Sequence, residues 1–496
     1  MTSFYANDDR VTDVSVDGST ATASLHHQHI RVESVELAVI SPLPASSATL
    51  PPTTEGDDFE AGTGVNLASL APVDGGFGAW SFLFGAFMVE FAVWGFPAAF
   101  GVFLEAYLRD TDLLSQPHAS SLLPLVGNLS SGIMYCSGPV TYPLAARYRH
   151  LRRPVMWIGM VICWASLFAA SFATTVTRLL ALQGVLYAVG GAFMYAPAMS
   201  FFSEWFVRRR GLANGVIDAG TAAGGLLLPL VLPKSIRHHG TALTLRYLSF
   251  GFAIVMIFTL PLIKPRLPER DVRGPAPRVN NRTWLMSRQW WLVIIVNTIQ
   301  GFAYFVPIVW LPTFASELNI SPSTASLSVA LLNGAGLVSR LTLGTLSDYF
   351  SPWLLALSTL AATSLVTFLL WGFAGHVVAG VLVYGMLYGM LAGGFSSLWT
   401  AFVRPVAKDD LSLYVTLFGY LMFSRGLGNV LSTPISTSLS TVRDNVKSSP
   451  GTGFAVAGGR FEQMIVYVGS CFAGAAVIAL VAWVPEIVAK RRLTRV

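Results

Sequence analysis

The sequence predicts an all-α integral membrane protein, with twelve transmembrane helices in two six-helix bundles and both termini in the cytoplasm. Three observations lead there. Twelve apolar stretches fill the chain from Trp80 to Pro485, each near the ~20 residues a helix needs to cross a hydrocarbon core. Of the 496 residues, 53% are hydrophobic and 12% are charged. A soluble domain carries about 25% charged residues, so the main solvent of this chain is lipid. Lysine and arginine collect in alternate short loops, which is how orientation is encoded in a membrane protein. Repeated crossing of lipid obliges each segment to satisfy its own backbone polar groups, so the stretches are helices.

Residues 1–79 hold 11 acids and 2 arginines, a net charge of −9. They are rich in Ser, Thr, Ala, Asp and Pro without a sustained apolar period, and read as a disordered acidic cytoplasmic tail. No apolar signal-peptide core is present, so the first span is the targeting signal. The spans fall near 80–108, 119–142, 154–174, 179–203, 211–233 and 247–264, then 290–315, 323–346, 353–374, 376–402, 411–440 and 463–485. Residues 80–264 therefore form an N-terminal bundle and 290–485 a C-terminal one. Between them lies a basic cytoplasmic linker, 265–289, and residues 486–496 form a basic cytoplasmic tail. Arginines at 147, 149, 152 and 153, and at 208–210, fall on the same side as the linker, which places both termini inside. The Asn281-Arg-Thr sequon is then cytoplasmic and unglycosylated.

The whole chain carries +6 and its tail −9, so the remainder carries +15. That charge sits in short loops and reads as topology signal and contact with anionic lipid, not as a nucleic-acid surface. Cys136, Cys163 and Cys471 all fall inside spans, with neither a disulfide framework nor metal-ligand spacing. No nucleophile elbow, zinc spacing or dinucleotide fingerprint occurs, and no loop is long enough for a nucleotide-binding domain. The chain reads as a carrier without cofactors, not as an enzyme or an ATP-driven pump.

Two segments narrow the reading. Asp74-Gly-Gly-Phe-Gly-Ala-Trp80, with Gly75, Gly76 and Gly78, stands ahead of the first span. Trp205-Phe-Val-Arg-Arg-Arg-Gly-Leu-Ala-Asn214-Gly215, running on to Ala219-Gly220 and Pro229, lies between the fourth and fifth. Asn333-Gly-Ala-Gly336, Arg340, Gly344 and Asp348 mark the eighth span and the loop after it. Together, from Asp74 to about Arg495, these resemble the monocarboxylate-transporter family of the major facilitator superfamily, in its fungal branch. The resemblance implies two rocking six-helix halves around a midplane site. Proton-coupled animal members carry a lysine after Phe-Pro in helix one and an aspartate one turn before the helix-eight arginine. Here Ala98 follows Phe96-Pro97, and Gly336 takes the aspartate position.

A charge at the bilayer centre costs ~2.5–3.5 kcal/mol on insertion scales, so each one needs a reason. Arg340 is a candidate ligand for an anionic group, because guanidinium grips carboxylate bidentately; a pair with Asp348 is its structural alternative. Glu90 and Asp218 are candidate proton acceptors or partners of buried arginines. Arg425 is either cavity-lining or a structural pair. Phe96, Tyr304, Tyr384, Tyr388 and Tyr420 are candidate cavity aromatics, with plain packing as the alternative. Arg208, Arg209 and Arg210 with Asp348 suit a cytoplasmic gate, or positive-inside topology alone.

The expected function is a secondary active transporter of a small organic anion or carboxylate-bearing metabolite, proton-coupled and monomeric in the plasma membrane. Efflux of a larger secondary metabolite and a non-transporting nutrient sensor are the other readings.

Overall fold

The computed structural model describes residues 70–267, 283–318, 322–408, 410–440 and 451–493. The tail up to residue 69, most of the basic linker and the last three residues lie outside the described residues. Among those described, the chain is entirely helical. The main elements are α1 Gly76–Arg109, α2 Ala119–Cys136, α3 Gly138–Arg147, α4 Arg152–Ala170, α5 Tyr187–Trp205 and α6 Arg210–Thr259. There follow α7 Arg288–Glu317, α8 Pro322–Ser347, α9 Pro352–Val366, α10 Val378–Ala392, α11 Trp399–Ala407, α12 Leu411–Leu439 and α13 Glu462–Leu493.

Nine stretches among the described residues are long and apolar enough to cross a membrane. One of them, Arg210–Leu262, has 53 residues. It is broken at Gly240, whose φ of 77° and ψ of 171° leave helical geometry, so the fifth and sixth predicted spans meet there. The predicted spans 119–142 and 411–440 are helical in α2–α3 and α12 but fall outside the nine. Their polar residues face one another: Asn128 Nδ2 donates to Thr433 Oγ1 at 2.6 Å, and Asn429 Nδ2 donates to Ser131 Oγ at 2.6 Å. Amides and hydroxyls bonded across a helix pair are well suited to lipid, which offers them no other partner.

The most extensive contacts between the helices before the linker and those after it are α6 with α8, and α12 with α2 and α3. Both rely on glycine. A Cβ at Gly215 would lie 2.3 Å from the Arg340 carbonyl oxygen, and one at Gly138 would lie 2.3 Å from that of Gly419. Side chains there would force the helices apart. The prolines within α1 (Pro97) and α7 (Pro307) each remove one backbone donor from a buried helix.

Candidate functional site

Four charged side chains from four helices converge in the interior: Glu90 on α1, Asp218 on α6, Arg340 on α8 and Arg425 on α12. They are 4%, 6%, 7% and 2% exposed. Glu90 senses both Asp218 and Arg340 electrostatically, and Asp218 senses both arginines. The set balances at two positive and two negative charges, which lowers the cost of burying any one of them. The three ion pairs found among the described residues lie elsewhere.

Neutral donors hold the acids instead. Thr221 Oγ1 donates to Glu90 Oε1. Asp218 Oδ2 accepts from Ser397 Oγ at 3.2 Å and from Asn214 Nδ2 at 3.4 Å. The same Asn214 amide reaches the Ser396 carbonyl oxygen at 3.4 Å, so the Asn214–Asp218 turn spans the join between α6 and the segment before α11.

The two arginines differ. Arg425 Nη1 donates to Gln300 Oε1 at 2.6 Å, and its guanidinium lies 4.3 Å from the Tyr304 ring centroid and 5.4 Å from that of Phe305. It is partnered by an amide and by cation–π contacts. Arg340 makes no hydrogen bond and no ion pair within 4.0 Å among the described residues. A Cβ at Gly336 would lie 3.2 Å from Arg340 Nη1. An aspartate at that position would pair with the guanidinium; glycine offers it no carboxylate there.

Aromatic rings surround these charges. Trp94 lies 4.5 Å from Tyr135 and 5.6 Å from Tyr195, and Tyr135 reaches Phe305 across the two sets of helices at 6.2 Å. Several buried polar atoms here have no partner: Trp94 Nε1, Tyr142 Oη, Asn214 Oδ1 and Gln300 Nε2. Unsatisfied buried donors and acceptors are rare in packed cores, so those beside the buried charges make this cluster the candidate site.

The other candidate aromatics have packing partners. Phe96 sits among Phe100, Phe103 and Tyr187. Tyr384 stacks on Trp371 at 5.3 Å, and Tyr388 bonds the backbone of Tyr304. Tyr420 is half-buried against Trp284 at 5.5 Å. Of the five, Tyr304 alone touches one of the four charged residues through its ring.

The two signature segments prove to be one piece of structure. Asp74 accepts the backbone N–H groups of Val207, Arg208 and Arg209 at 2.9–3.0 Å, and donates its own N–H to the Trp205 carbonyl oxygen at 3.0 Å. A Cβ at Gly78 would lie 2.8 Å from the Trp205 ring. Partial burial pushes the Asp74 carboxyl up, but the three N–H donors and Arg209 outweigh it and hold it below its usual value. Its stabilising effect is thus complete above about pH 4 and is lost as pH falls through the lowered value. Asp74→Ala should cost about 1–2 kcal/mol, as loss of a helix cap does, read as a lower melting temperature at neutral pH.

From the other side, Asp348 accepts the N–H groups of Gly211 and Leu212 at 2.7 and 2.9 Å. It thereby tethers the start of α6 to the end of α8. Arg208 and Arg209 have exposed side chains; both bond Asp74 through their backbone, and the Arg209 charge also acts on its carboxyl. Arg210 is buried: its Nε donates to the Phe206 carbonyl oxygen at 2.7 Å and its guanidinium lies 4.8 Å from the Tyr414 ring. At this same end Arg152 and Glu204 form a buried pair at 2.7 Å, and Glu204 also accepts from the Arg266 backbone N–H at 3.2 Å.

The model of the Major Facilitator Superfamily matches residues 78–433. The chain belongs to that superfamily. It is a multi-pass integral membrane transporter with the all-helical superfamily fold. Among curated relatives, the MFS-type transporter hasB of Aspergillus fumigatus is 26% identical over 403 residues, 78% of this chain and 88% of its own length. The fujikurins efflux protein of Gibberella fujikuroi is 26% identical, covering 69% of this chain and 72% of its own. The aspyridones efflux protein apdF of Emericella nidulans is 26% identical, covering 74% and 72%. The solved proton:xylose symporter XylE superposes with a TM-score of 0.60 at 14% identity, over 80% of this chain and 94% of that one. The human organic anion transporter MFSD10 gives 0.59 at 15%, over 81% and 98%.

Sequence reasoning missed the neutral half of the site: Trp94, Tyr135, Tyr195, Thr221, Gln300 and Ser397. Gln300 carried a usable signal, since an amide inside an apolar span needs a partner. The aromatic and hydroxyl residues did not stand out from ordinary packing.

Proposed function

We propose that this facilitator exports a bulky amphipathic organic anion by alternating access, with Arg340 gripping the anionic group. The carrying observation is the Arg340 guanidinium, 7% exposed and without a hydrogen bond or ion pair among the described residues, beside a cluster ringed by aromatics. Glu90 and Asp218 compensate its charge only through space, so its N–H donors are free to hold an anionic ligand. Rings of this number suit a conjugated or apolar body larger than a lactate-sized acid. Relatives from Gibberella fujikuroi and Emericella nidulans, named as efflux proteins, support export over carboxylate uptake. Kinship with the monocarboxylate transporters is consistent with the joined signature segments, while Ala98 and Gly336 weigh against lactate-type symport. A buried, ligand-ready site favours transport over the sensor reading. The working topology is twelve spans in two six-helix halves, monomeric in the plasma membrane with both termini cytoplasmic.

Charge balance supplies the coupling. One anion added to two positive and two negative charges leaves an excess of −1, which a proton on Asp218 or Glu90 removes. Anion and proton therefore bind together. In proteoliposomes, flux of a fluorescent aromatic acid should rise as the loading side is acidified, and Asp218→Asn should flatten that pH dependence. An unchanged pH profile in both Asp218→Asn and Glu90→Gln would refute the coupling.

A further inference from the structure

Proline in a helix frees the carbonyl four residues before it. For Pro97 that group belongs to Val93, and for Pro307 to Ala303. Each lies in a buried part of its helix, where an unmatched carbonyl is unfavourable. Both are met by a tyrosine hydroxyl from another helix. Tyr187 Oη donates to the Val93 oxygen at 3.1 Å, shared with Ala92 at 2.9 Å. Tyr388 Oη donates to the Ala303 oxygen at 3.4 Å, shared with Tyr304 at 3.0 Å. Both tyrosines are 0% exposed. The arrangement repeats along the chain: a proline in the first and seventh predicted spans, a tyrosine in the fourth and tenth.

The residue after each freed carbonyl carries a ring of the central site. Trp94 follows Val93 and faces Tyr135 and Tyr195. Tyr304 follows Ala303 and lies under Arg425. The missing backbone bond at each proline therefore lies directly beside that ring, within an otherwise continuous helix.

We propose that Tyr187 and Tyr388 are positioning residues for transport: each hydroxyl pins its neighbouring helix at the carbonyl that the proline leaves free, beside a ring offered to the substrate. The link to substrate rests on the export reading above; the pinning of the helix does not. Each hydroxyl is the removable half of a hinge whose other half is the proline.

Hydrogen–deuterium exchange on the full-length protein in nanodiscs tests this without any substrate. Tyr187→Phe should speed amide exchange just after Pro97 about fivefold, the weight of one net hydrogen bond, and leave the segment after Pro307 unchanged. Tyr388→Phe should do the reverse. In Pro97→Ala the new amide N–H meets the Val93 oxygen itself, so adding Tyr187→Phe should accelerate exchange less than it does with the proline present; Pro307→Ala with Tyr388→Phe gives an independent second cycle. Equal acceleration with and without the proline, acceleration of both segments by either tyrosine variant, or no change would each overturn the proposal. If exchange behaves as expected while anion flux is absent in wild type, the hinge stands and the export reading falls.

Discussion

Arg340→Ala is expected to reduce anion flux to the level of empty liposomes while leaving a folded protein. The two arginines separate here. Arg425 is engaged by Gln300 and the Tyr304 ring, so its truncation strips an amide of its partner and should chiefly destabilise. Arg340 has no hydrogen bond among the described residues to lose, and its removal subtracts a ligand group. It also leaves Asp218 and Glu90 with one neighbouring cation instead of two. Arg340→Lys should retain partial flux with weaker apparent affinity, since an ammonium cannot make the bidentate contact. Gly336→Asp should mimic the alanine variant by a different route: the added Cβ falls 3.2 Å from Arg340 Nη1, and a carboxylate there would occupy the guanidinium. Binding of a fluorescent aromatic acid by purified protein reads all three. Wild-type affinity in both Arg340→Ala and Gly336→Asp would show that the anion is held elsewhere.

The second large effect is expected at the α6–α8 join. Asp348 caps the start of α6 from the opposite set of helices, and a Cβ at Gly344 would lie 2.5 Å from the Gly211 oxygen. The arrangement described holds α6 and α8 together at this end. Loss of the cap in Asp348→Ala should weaken closure by about 1–2 kcal/mol, near a tenfold shift in the ratio of closed to open forms. Gly344→Val should shift it further, because the side chain meets backbone. Acid acts in the opposite sense to the usual expectation for a carboxylate latch. Burial raises the Asp348 carboxyl, the Leu212 and Gly211 N–H groups pull it down, Asp74 adds to the rise, and the net position is above the usual range. The closed form therefore binds the proton more tightly than an open form with a solvated carboxyl, so closure strengthens as pH falls toward the ordinary value. Distances between spin labels at Val207 and Tyr349 would report this, with a longer population growing in Asp348→Ala and in Gly344→Val. An identical distance distribution in wild type and both variants would remove Asp348 from the gate.

Much of the fold was legible because lipid leaves a chain few choices. The predicted stretches are helical, nine segments among the described residues being long and apolar enough to cross a membrane, and the fifth and sixth stretches run together across Gly240. The charged half of the site was legible for the same reason: Glu90, Asp218, Arg340 and Arg425 stood out against apolar runs, and the structure gathers all four. What the residues alone could not give was partnership. Arg340 and Asp348 are eight positions apart in sequence, which suggested a pair. In space Asp348 turns to the backbone of α6, and Arg340 is left without that partner. Asp74 and the Arg208–Arg210 turn were singled out as separate motifs, and only folding shows that one carboxylate holds the other segment's backbone. Tyr388 and Phe96 read as cavity aromatics, because nothing in a sequence tells a ring facing a cavity from one packed on a neighbouring helix.

Export is tested most directly by proteoliposome flux of a graded panel of acids, from lactate-sized to polycyclic aromatic, in wild type and Arg340→Ala. Saturable flux that grows with the apolar size of the acid and vanishes in Arg340→Ala is the expected result. Flux confined to the smallest acids, or flux of large acids that survives in Arg340→Ala, would contradict it.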